Sequence, residues 1–230
     1  MAMPAPVVTV DGPSGSGKGT LARLIAQRLG WRLLDSGALY RIVAAVALAR
    51  RIDTANGGDL AAMAQQLTIE FRDEAVLVDG EDLSRRIREE AVGEAASVVA
   101  ALPEVRAAVL RLQTDMRQLP GLVADGRDMG TVVFPDAPVK IYLDAGLEAR
   151  AERRYKQLID KGLPANLPAL LASLRDRDER DKGRVVSPLK PAPDAFIIDS
   201  TSLSIDRVLE LALDRVRAVG LMGDTNINQP

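Results

Sequence analysis

The chain has neither cysteine nor histidine among its 230 residues. Without cysteine it has no disulfide, no thiolate nucleophile and no Cys-ligated zinc, and this absence fits a reducing compartment. Without histidine it has no Ser-His-Asp or Cys-His catalysis and lacks the commonest metal ligand. Its chemistry therefore depends on carboxylates, arginine, lysine and backbone groups.

Aromatic residues are few, and neither sign of charge is in excess. The chain has one tryptophan, three tyrosines and three phenylalanines, and its 30 lysines and arginines face 32 acidic residues, for a net charge of -2. A nucleic-acid or membrane-surface binder is expected to carry a basic field, and single-strand binders also use aromatic stacking. We therefore expect no nucleic-acid partner.

Long hydrophobic runs are also absent. No apolar run approaches the roughly 20 residues that a membrane span needs, and Met1 leads into the apolar run 7–10 without the basic segment of a signal peptide. With 47% hydrophobic and 27% charged residues, the composition is that of a globular protein. We expect a cytoplasmic protein without membrane contact.

Five short apolar runs each precede an aspartate. Their hydrophobicity is continuous rather than alternating, as in strands buried on both faces of a parallel sheet, and helical patterns separate most of them. We predict an α/β fold with a doubly wound five-stranded parallel sheet, whose ligands bind beyond the carboxyl ends of the strands. The runs are 7–10, 31–34, 122–124, 139–143 and 196–198, followed by Asp11, Asp35, Asp125, Asp144 and Asp199.

Residues 57–101 depart from this α/β alternation. Two strands, at 67–71 and 75–78, surround a charged turn and are followed by the polar stretch 79–90. We predict an insertion that covers the substrate. Elsewhere helical spacing predicts a helix that follows the loop 12–20 and ends before Gly30, and further helices at 38–51, 147–161 and 205–219.

The loop at 12–20 matches the phosphate-binding P-loop up to its lysine. Its glycines let backbone N–H groups converge on phosphate oxygens, the following helix N-terminus adds positive potential, and Lys18 places a point charge between phosphates. Thr20 is the candidate for orienting Mg²⁺. The predicted triphosphate-binding residues are Gly12, Pro13, Ser14, Gly15, Ser16, Gly17, Lys18, Gly19 and Thr20.

Glycine at position 19, where the motif usually has Ser or Thr, resembles the loop of nucleoside monophosphate kinases and favours a kinase. A GTPase would carry an Asn-Lys-x-Asp motif and a mechanical ATPase an apolar run ending in Asp-Glu, and the sequence has neither. The alternatives are another small-molecule kinase, such as a uridylate, adenylate or shikimate-type enzyme, and a non-catalytic P-loop nucleotide-binding ATPase.

Two further strand ends carry residues suited to bind the substrate that accepts the phosphoryl group. Ser36 and Arg41 open a helix after the second strand, where Arg41 would hold an anion, although a lone helix arginine also suits solvent. In the turn after the third strand, Arg127 suits bidentate contact with phosphate and Asp128 can accept from an amino group such as cytosine N4. The alternative for this pair is a salt bridge within the turn.

Four segments together resemble the bacterial cytidylate kinases. They are GPSGSGKGT, LLDSGALYR, DGRDMGTVVFPDA and RDRDERDKGRVVSPLKPA, they stand in family order, and the resemblance covers residues 7–216. It implies transfer of the γ-phosphate of ATP, with Mg²⁺, to CMP or dCMP by a monomer. It also implies that 57–101 is the insertion of the bacterial form.

The resemblance assigns roles to individual residues. Ser97, Arg106 and Asp128 match the residues that recognise cytosine. Arg41, Arg127 and Arg184 match the arginines that meet the acceptor phosphate, and Arg177 and Asp181 fall near phosphate and ribose hydroxyls. With Ser36 these form the predicted acceptor site, and the predicted catalytic residues are Lys18, Arg127 and Arg184.

Two helical charge patterns allow a second interpretation. Arg177, Asp181 and Arg184 stand at i, i+4 and i+7, so a helix would place them on one face, yet residues 173–184 also suit an exposed helix with surface ion pairs. Arg150 and Arg154 match the family's donor-side arginines, which cover the adenine and reach the phosphates, or form a helix charge face. We expect a single domain over 1–225, with a lid at 155–164 and a polar tail at 223–230.

Overall fold

A computed structural model describes residues 4–72, 75–160 and 162–222. The chain divides into two compact units. The first unit comprises Met1–Leu34, Met116–Gly183 and Ser187–Pro230, and the second comprises Asp35–Asp115 and Arg184–Val186. The predicted polar tail at 223–230 lies outside the described residues.

Strands and helices alternate at both ends of the chain and cluster by type in the middle. In chain order they are β1 (Val7–Asp11), α1 (Lys18–Leu29), β2 (Arg32–Asp35), α2 (Ser36–Arg50), α3 (Gly57–Gln66), β3 (Ile69–Arg72), β4 (Ala75–Val78), β5 (Glu81–Asp82), α4 (Glu90–Val99), α5 (Pro103–Asp115), β6 (Leu122–Gly126), β7 (Val139–Asp144), α6 (Leu147–Asp160), α7 (Leu167–Gly183), β8 (Phe196–Asp199) and α8 (Ile205–Ala218). A short 3-10 helix covers Arg86–Arg88, and a short π-helix covers Met129–Val133.

The central sheet has five strands in the order β2-β6-β1-β7-β8. β1 pairs in parallel with β6 on one side and β7 on the other, and β7 pairs in parallel with β8. All five predicted runs are strands, and the predicted α/β fold with a five-stranded parallel sheet is confirmed. Because the connections change direction at β1, its carboxyl end is the place where doubly wound folds bind ligands.

The core of the first unit explains why the apolar runs become strands. All five residues of β1 are buried, and α1 covers Val8 and Val10 with the fully buried Leu21 and Ile25. Each such side chain contributes about 1.5–3 kcal/mol on burial. The helix ends where the sequence predicts, because Gly30 adopts the left-handed conformation of a C-cap.

The second unit contains the predicted insertion. Its sheet is antiparallel, in the order β3-β4-β5, so the two predicted strands are present. The helices α3 and α4 and the short β5 were not predicted there. The chain turns into β5 through Asp79 and Gly80, whose φ values of 51° and 85° form the reversal that Asp-Gly favours. Since the unit also includes α2 and α5, the bounds 57–101 stay a prediction.

The predicted lid overlaps a helix. Residues 155–160 are the last turns of α6, which spans Leu147–Asp160 as the sequence pattern indicates. Gly162 then takes a φ of 68°. The segment is therefore partly regular, and its movement stays a prediction.

Candidate active site

The loop at 12–20 connects β1 to α1, as the sequence predicts. A Cβ at Gly12 would lie 2.1 Å from the carbonyl oxygen of Leu143, so only glycine fits. Gly17 has a φ of 94° and precedes the first residue of α1. These two glycines let the backbone reverse at the carboxyl end of β1.

The start of α1 has the free donors that an anion requires. No side chain in the described part of the chain caps this helix N-terminus, and its first turn has no acidic residue. Ser16 is 1% exposed, and its hydroxyl has no hydrogen-bond partner among the described residues. Uncapped backbone N–H groups beside an unpartnered buried hydroxyl fit the phosphates of a nucleotide.

Lys18 and Thr20 extend this site into the first turn of α1. The Nζ of Lys18 lies 3.3 Å from the carbonyl oxygen of Pro13, so the ammonium group folds back over the loop. Thr20 is exposed on the same turn. An ammonium over the loop and an exposed hydroxyl beside it suit phosphate and cation contact.

Gly19 lies close to a carboxylate of β6. A Cβ at this position would lie 3.1 Å from Oδ2 of Asp125, which belongs to β6. Glycine thus keeps the loop close to a carboxylate. Thr20 and Asp125 are hard oxygen donors of the kind that Mg²⁺ prefers. The described ranges contain no group of three or more acidic residues that could hold a metal ion.

Arg150, a predicted donor-side arginine, is buried and fully engaged. Its side chain donates to the carbonyl oxygens of Ser14 at 3.0 Å and Ala145 at 2.9 Å. It also forms a bidentate ion pair with Asp178 of α7. Arg150 is 4% exposed, so it is buried against the backbone of the phosphate loop. Arg154, also on α6, is half-buried.

Asp11, at the end of β1, holds the turn that carries the predicted acceptor residues. Its two carboxylate oxygens each accept a backbone hydrogen bond of 2.8 Å, from the N–H groups of Met129 and Gly130. These residues directly follow Arg127 and Asp128, and Asp128 is 2% exposed. The strand that leads into the phosphate loop therefore also fixes the acceptor turn.

Burial has a strong effect on Asp11. It raises the pKa of this carboxyl from 3.8 to about 7, and although the two N–H groups oppose the shift, Asp128 and Asp125 add to it. Asp11 was predicted only as a strand end. An aspartate that follows a wholly apolar strand and precedes a P-loop is the signal that could have identified it.

Arg127 pairs with Asp181 of α7. The Nε of Arg127 donates to Oδ2 of Asp181 at 2.9 Å. Burial by itself lowers the pKa of this arginine, but the charge and hydrogen bond of Asp181, together with the charges of Asp125 and Asp11, outweigh burial and raise the pKa. Two predicted acceptor residues of the first unit are thereby brought together.

The buried carboxylates of α7 decide between the two interpretations of the charged helix. Asp178 and Asp181 are 8% and 1% exposed, so this face of α7 is not a solvated surface. The expectation that Arg177, Asp181 and Arg184 share a helix face is wrong for Arg184, because α7 ends at Gly183. Arg184 groups with the second unit instead.

Ser36 and Arg41 lie on α2 in the second unit. Ser36 is 3% exposed, and its hydroxyl accepts a hydrogen bond of 2.8 Å from Gln113, which was not predicted. Arg41 donates to the carbonyl oxygen of Ile87 at 2.8 Å. A Cβ at position 93 would lie 2.8 Å from Nη2 of Arg41, so Gly93 leaves space for the guanidinium where it now lies. Arg41 is therefore not a solvated helix arginine.

Ser97 and Arg106, the other predicted base-recognising residues, are buried in the same unit. Ser97 is 2% exposed, and its hydroxyl has no hydrogen-bond partner within the described ranges. Arg106 donates to the carbonyl oxygen of Ala100 at 3.2 Å, and its guanidinium lies 5.8 Å from the ring centre of Tyr40. A buried hydroxyl without a partner is available to bond a ligand.

Comparison with known proteins places this chain among named relatives. The family model described as cytidylate kinase matches residues 8–218. The cytidylate kinase of Aeromonas hydrophila subsp. hydrophila is 54% identical over 228 residues, which cover 97% of this chain and 98% of that protein. The cytidylate kinase of Aeromonas salmonicida is 56% identical over 213 residues, which cover 91% of this chain and 93% of that protein.

A solved structure shares the fold at low identity. An uncharacterized protein from Eubacterium ventriosum ATCC 27560 superposes with a TM-score of 0.52 at 10% identity, over 93% of this chain and 99% of that one.

In the parts of the chain that the structure describes, every helix is too short or too polar to cross a membrane.

Proposed function

The chain belongs to the cytidylate kinase family, and we propose that it transfers the γ-phosphate of ATP to CMP or dCMP, giving ADP and CDP or dCDP. The observation that carries this function is the loop at 12–20, with its uncapped helix N-terminus and the buried, unpartnered hydroxyl of Ser16. The chain is thus an enzyme, a phosphotransferase with a phosphate group as acceptor.

We propose that the loop holds the phosphates of ATP. Backbone N–H groups between Gly12 and Thr20 bind the phosphate oxygens, and the positive charge of Lys18 stabilises the phosphoryl group during its transfer. Arg154 remains the proposed donor-side arginine. Arg150 contributes by holding the carbonyl of Ser14, which keeps the loop in its binding shape.

Thr20 and Asp125 would hold Mg²⁺ through the Thr20 hydroxyl and the Asp125 carboxylate. When bound, the ion supplies neutralisation of the negative charge on the β- and γ-phosphates. We propose the ion here because these two side chains offer oxygen donors beside the phosphate loop.

The proposed roles of the residues that bind the acceptor nucleotide follow the family resemblance. The buried Ser97 hydroxyl without a protein partner supports a base-contacting role in the second unit. The fixed turn after β6 supports such a role for Asp128 in the first. The proposed base-recognising residues are Ser97, Arg106 and Asp128, and the proposed phosphate- and ribose-binding residues are Ser36, Arg41, Arg127, Arg177, Asp181 and Arg184.

The chemistry needs no general base. The acceptor is a phosphate oxygen whose second pKa is about 6, so at neutral pH it is already largely ionised. This oxygen bonds to the γ-phosphorus while the bond to the bridging oxygen of ADP breaks, and arginines and Lys18 stabilise the charge on the transferring oxygens. A chain without histidine can therefore perform this reaction.

A coupled ADP-release assay with each nucleoside monophosphate tests the proposal. We expect turnover with CMP and dCMP, and little with AMP. Preferred turnover of UMP would favour the uridylate alternative, and ATP hydrolysis unaffected by any nucleotide would favour a non-catalytic or ATPase function. A cytoplasmic location, a monomeric state and the absence of a nucleic-acid partner stay predictions from the sequence.

A further inference from the structure

Arg153 of α6 contacts the phosphate loop from behind. Its Nη1 donates to the carbonyl oxygen of Ser16 at 3.2 Å and to Oγ of Ser200 at 3.1 Å. Its Nη2 donates to the carbonyl oxygen of Ser200. The sequence pattern indicates Arg150 and Arg154 on this helix but not Arg153.

Ser200, the residue after β8, reaches the same carbonyl. Its hydroxyl lies 3.2 Å from the Ser16 carbonyl oxygen and 3.0 Å from that of Asp144, and it is 3% exposed. The backbone N–H of Ser200 donates to Asp144 at 2.8 Å, which ties this residue to the end of β7. The Ser16 carbonyl thus accepts from the Arg153 guanidinium and lies within hydrogen-bond distance of the Ser200 hydroxyl, whose single proton is shared with the Asp144 carbonyl.

Holding this carbonyl sets the direction of a loop N–H. In a trans peptide the C=O and the following N–H point in opposite directions. The Ser16 carbonyl points toward Arg153 and Ser200, so the N–H of Gly17 points to the other side of that peptide plane. Gly17 is the N-cap of α1, at the helix end whose N–H groups face a bound anion.

We propose that Arg153 and Ser200 are positioning residues for phosphoryl transfer, which hold the Ser16 carbonyl so that the Gly17 N–H stays aimed at the phosphates of ATP. This proposal rests on the proposed function of the loop. Neither side chain touches the nucleotide in it, so both act through the backbone. Loss of either would loosen ATP binding and leave acceptor binding unchanged.

Ser200→Ala separates this role from direct contact of Arg153 with a phosphate. The substitution removes a hydroxyl that touches the loop and Arg153 but leaves the arginine in place. If Arg153 bound ATP directly, Ser200→Ala, which keeps the bonds of Arg153 to the Ser16 and Ser200 carbonyls, would leave KM for ATP unchanged. If both act on the Ser16 carbonyl, the two substitutions are coupled.

The experiment measures KM for ATP and for CMP in Arg153→Met, Ser200→Ala and the double variant. We expect KM for ATP to rise about 10-fold or more in Arg153→Met and about 5-fold in Ser200→Ala. The double variant should resemble Arg153→Met alone, KM for CMP should not change, and Arg153→Lys should recover part of the loss. Calorimetric binding of a non-hydrolysable ATP analogue should weaken in parallel.

Arg117→Met is the matched control. Arg117 also donates to a backbone carbonyl, that of Ala5 at 2.7 Å, but at the opposite end of β1. A strand of this length spans about 17 Å, so Arg117→Met should leave KM for ATP unchanged. Because it also removes a bond from an arginine to a backbone carbonyl, it controls for a general loss of stability. A normal KM for ATP in Ser200→Ala, or losses that multiply in the double variant, would overturn the proposal. A wild-type enzyme that bound the analogue but did not phosphorylate CMP would instead contradict the proposed function.

Discussion

Asp181 accepts a hydrogen bond of 2.9 Å from Arg127, and the two side chains are 1% and 15% exposed. The ion pair links α7 to the turn after β6 within the first unit. Because both partners are largely out of water, removing Asp181 leaves the Arg127 guanidinium without its hydrogen-bonded carboxylate.

Asp181→Ala should therefore lower the free energy of unfolding by about 3 kcal/mol or more, measured by urea denaturation of the nucleotide-free protein. Glu210→Ala is the control, because Glu210 and its partner Arg207 are 58% and 53% exposed. It should cost less than about 1 kcal/mol. Similar losses in the two variants would show that the Arg127 pair is not buried in solution.

Asp128→Ala should affect CMP far more than ATP. A charged group that accepts from the cytosine amino group contributes roughly 10- to 100-fold to affinity, so KM for CMP should rise by that factor while KM for ATP stays within about 2-fold. Steady-state kinetics with each substrate varied in turn gives both values. Equal losses for the two nucleotides would contradict the role in base recognition.

The stability of the protein should depend on pH through Asp11, whose pKa is raised from 3.8 to about 7. Between these values the folded state binds more protons than the unfolded state, so the free energy of unfolding falls as the pH rises, by up to about 1.4 kcal/mol per unit. Asp125 and Asp128 repel its charge and Arg127 attracts it. Asp11→Asn has no charge at this position and should lose most of this slope.

Urea denaturation at about pH 5 and about pH 8 checks this. The wild type should lose more stability than Asp11→Asn between the two. Asn can accept only one of the two N–H bonds, so the variant should be the less stable protein at the lower pH. An identical change in both proteins would mean that Asp11 is ionised throughout.

Residues 57–101 and 155–164 should become protected when both nucleotides bind. Closure of mobile segments over the substrates excludes water, which competes as the acceptor. Hydrogen exchange with CMP and a non-hydrolysable ATP analogue, compared with the free protein, measures the effect. Unchanged exchange in both segments would remove closure from the mechanism, and β1 serves as an internal control because all of its residues are buried.

The sheet could be predicted because its strands are buried on both faces. In a chain of this composition, a short continuous apolar run such as that of β7 is typical of a strand inside a parallel sheet. The helix α3 was missed because it begins with Gly57 and Gly58, residues typical of loops, and depends on the cap that Asn56 provides.

Individual site residues were predictable only where a motif marks them. Arg153 stands in a highly charged helix, and only the fold brings it to Ser16 and Ser200. The position of Arg184 depends on where α7 ends, which helical spacing does not reveal. Local patterns identify the phosphate loop, whereas long-range partners need the tertiary structure.

The most direct test of the central claim follows the phosphate itself. The protein is incubated with CMP, Mg²⁺ and ATP labelled in its γ-phosphate, and the products are separated. The account predicts that the label moves into the β-phosphate of CDP, in step with ADP formation. Label found only in inorganic phosphate, or only in a different nucleotide, would contradict it.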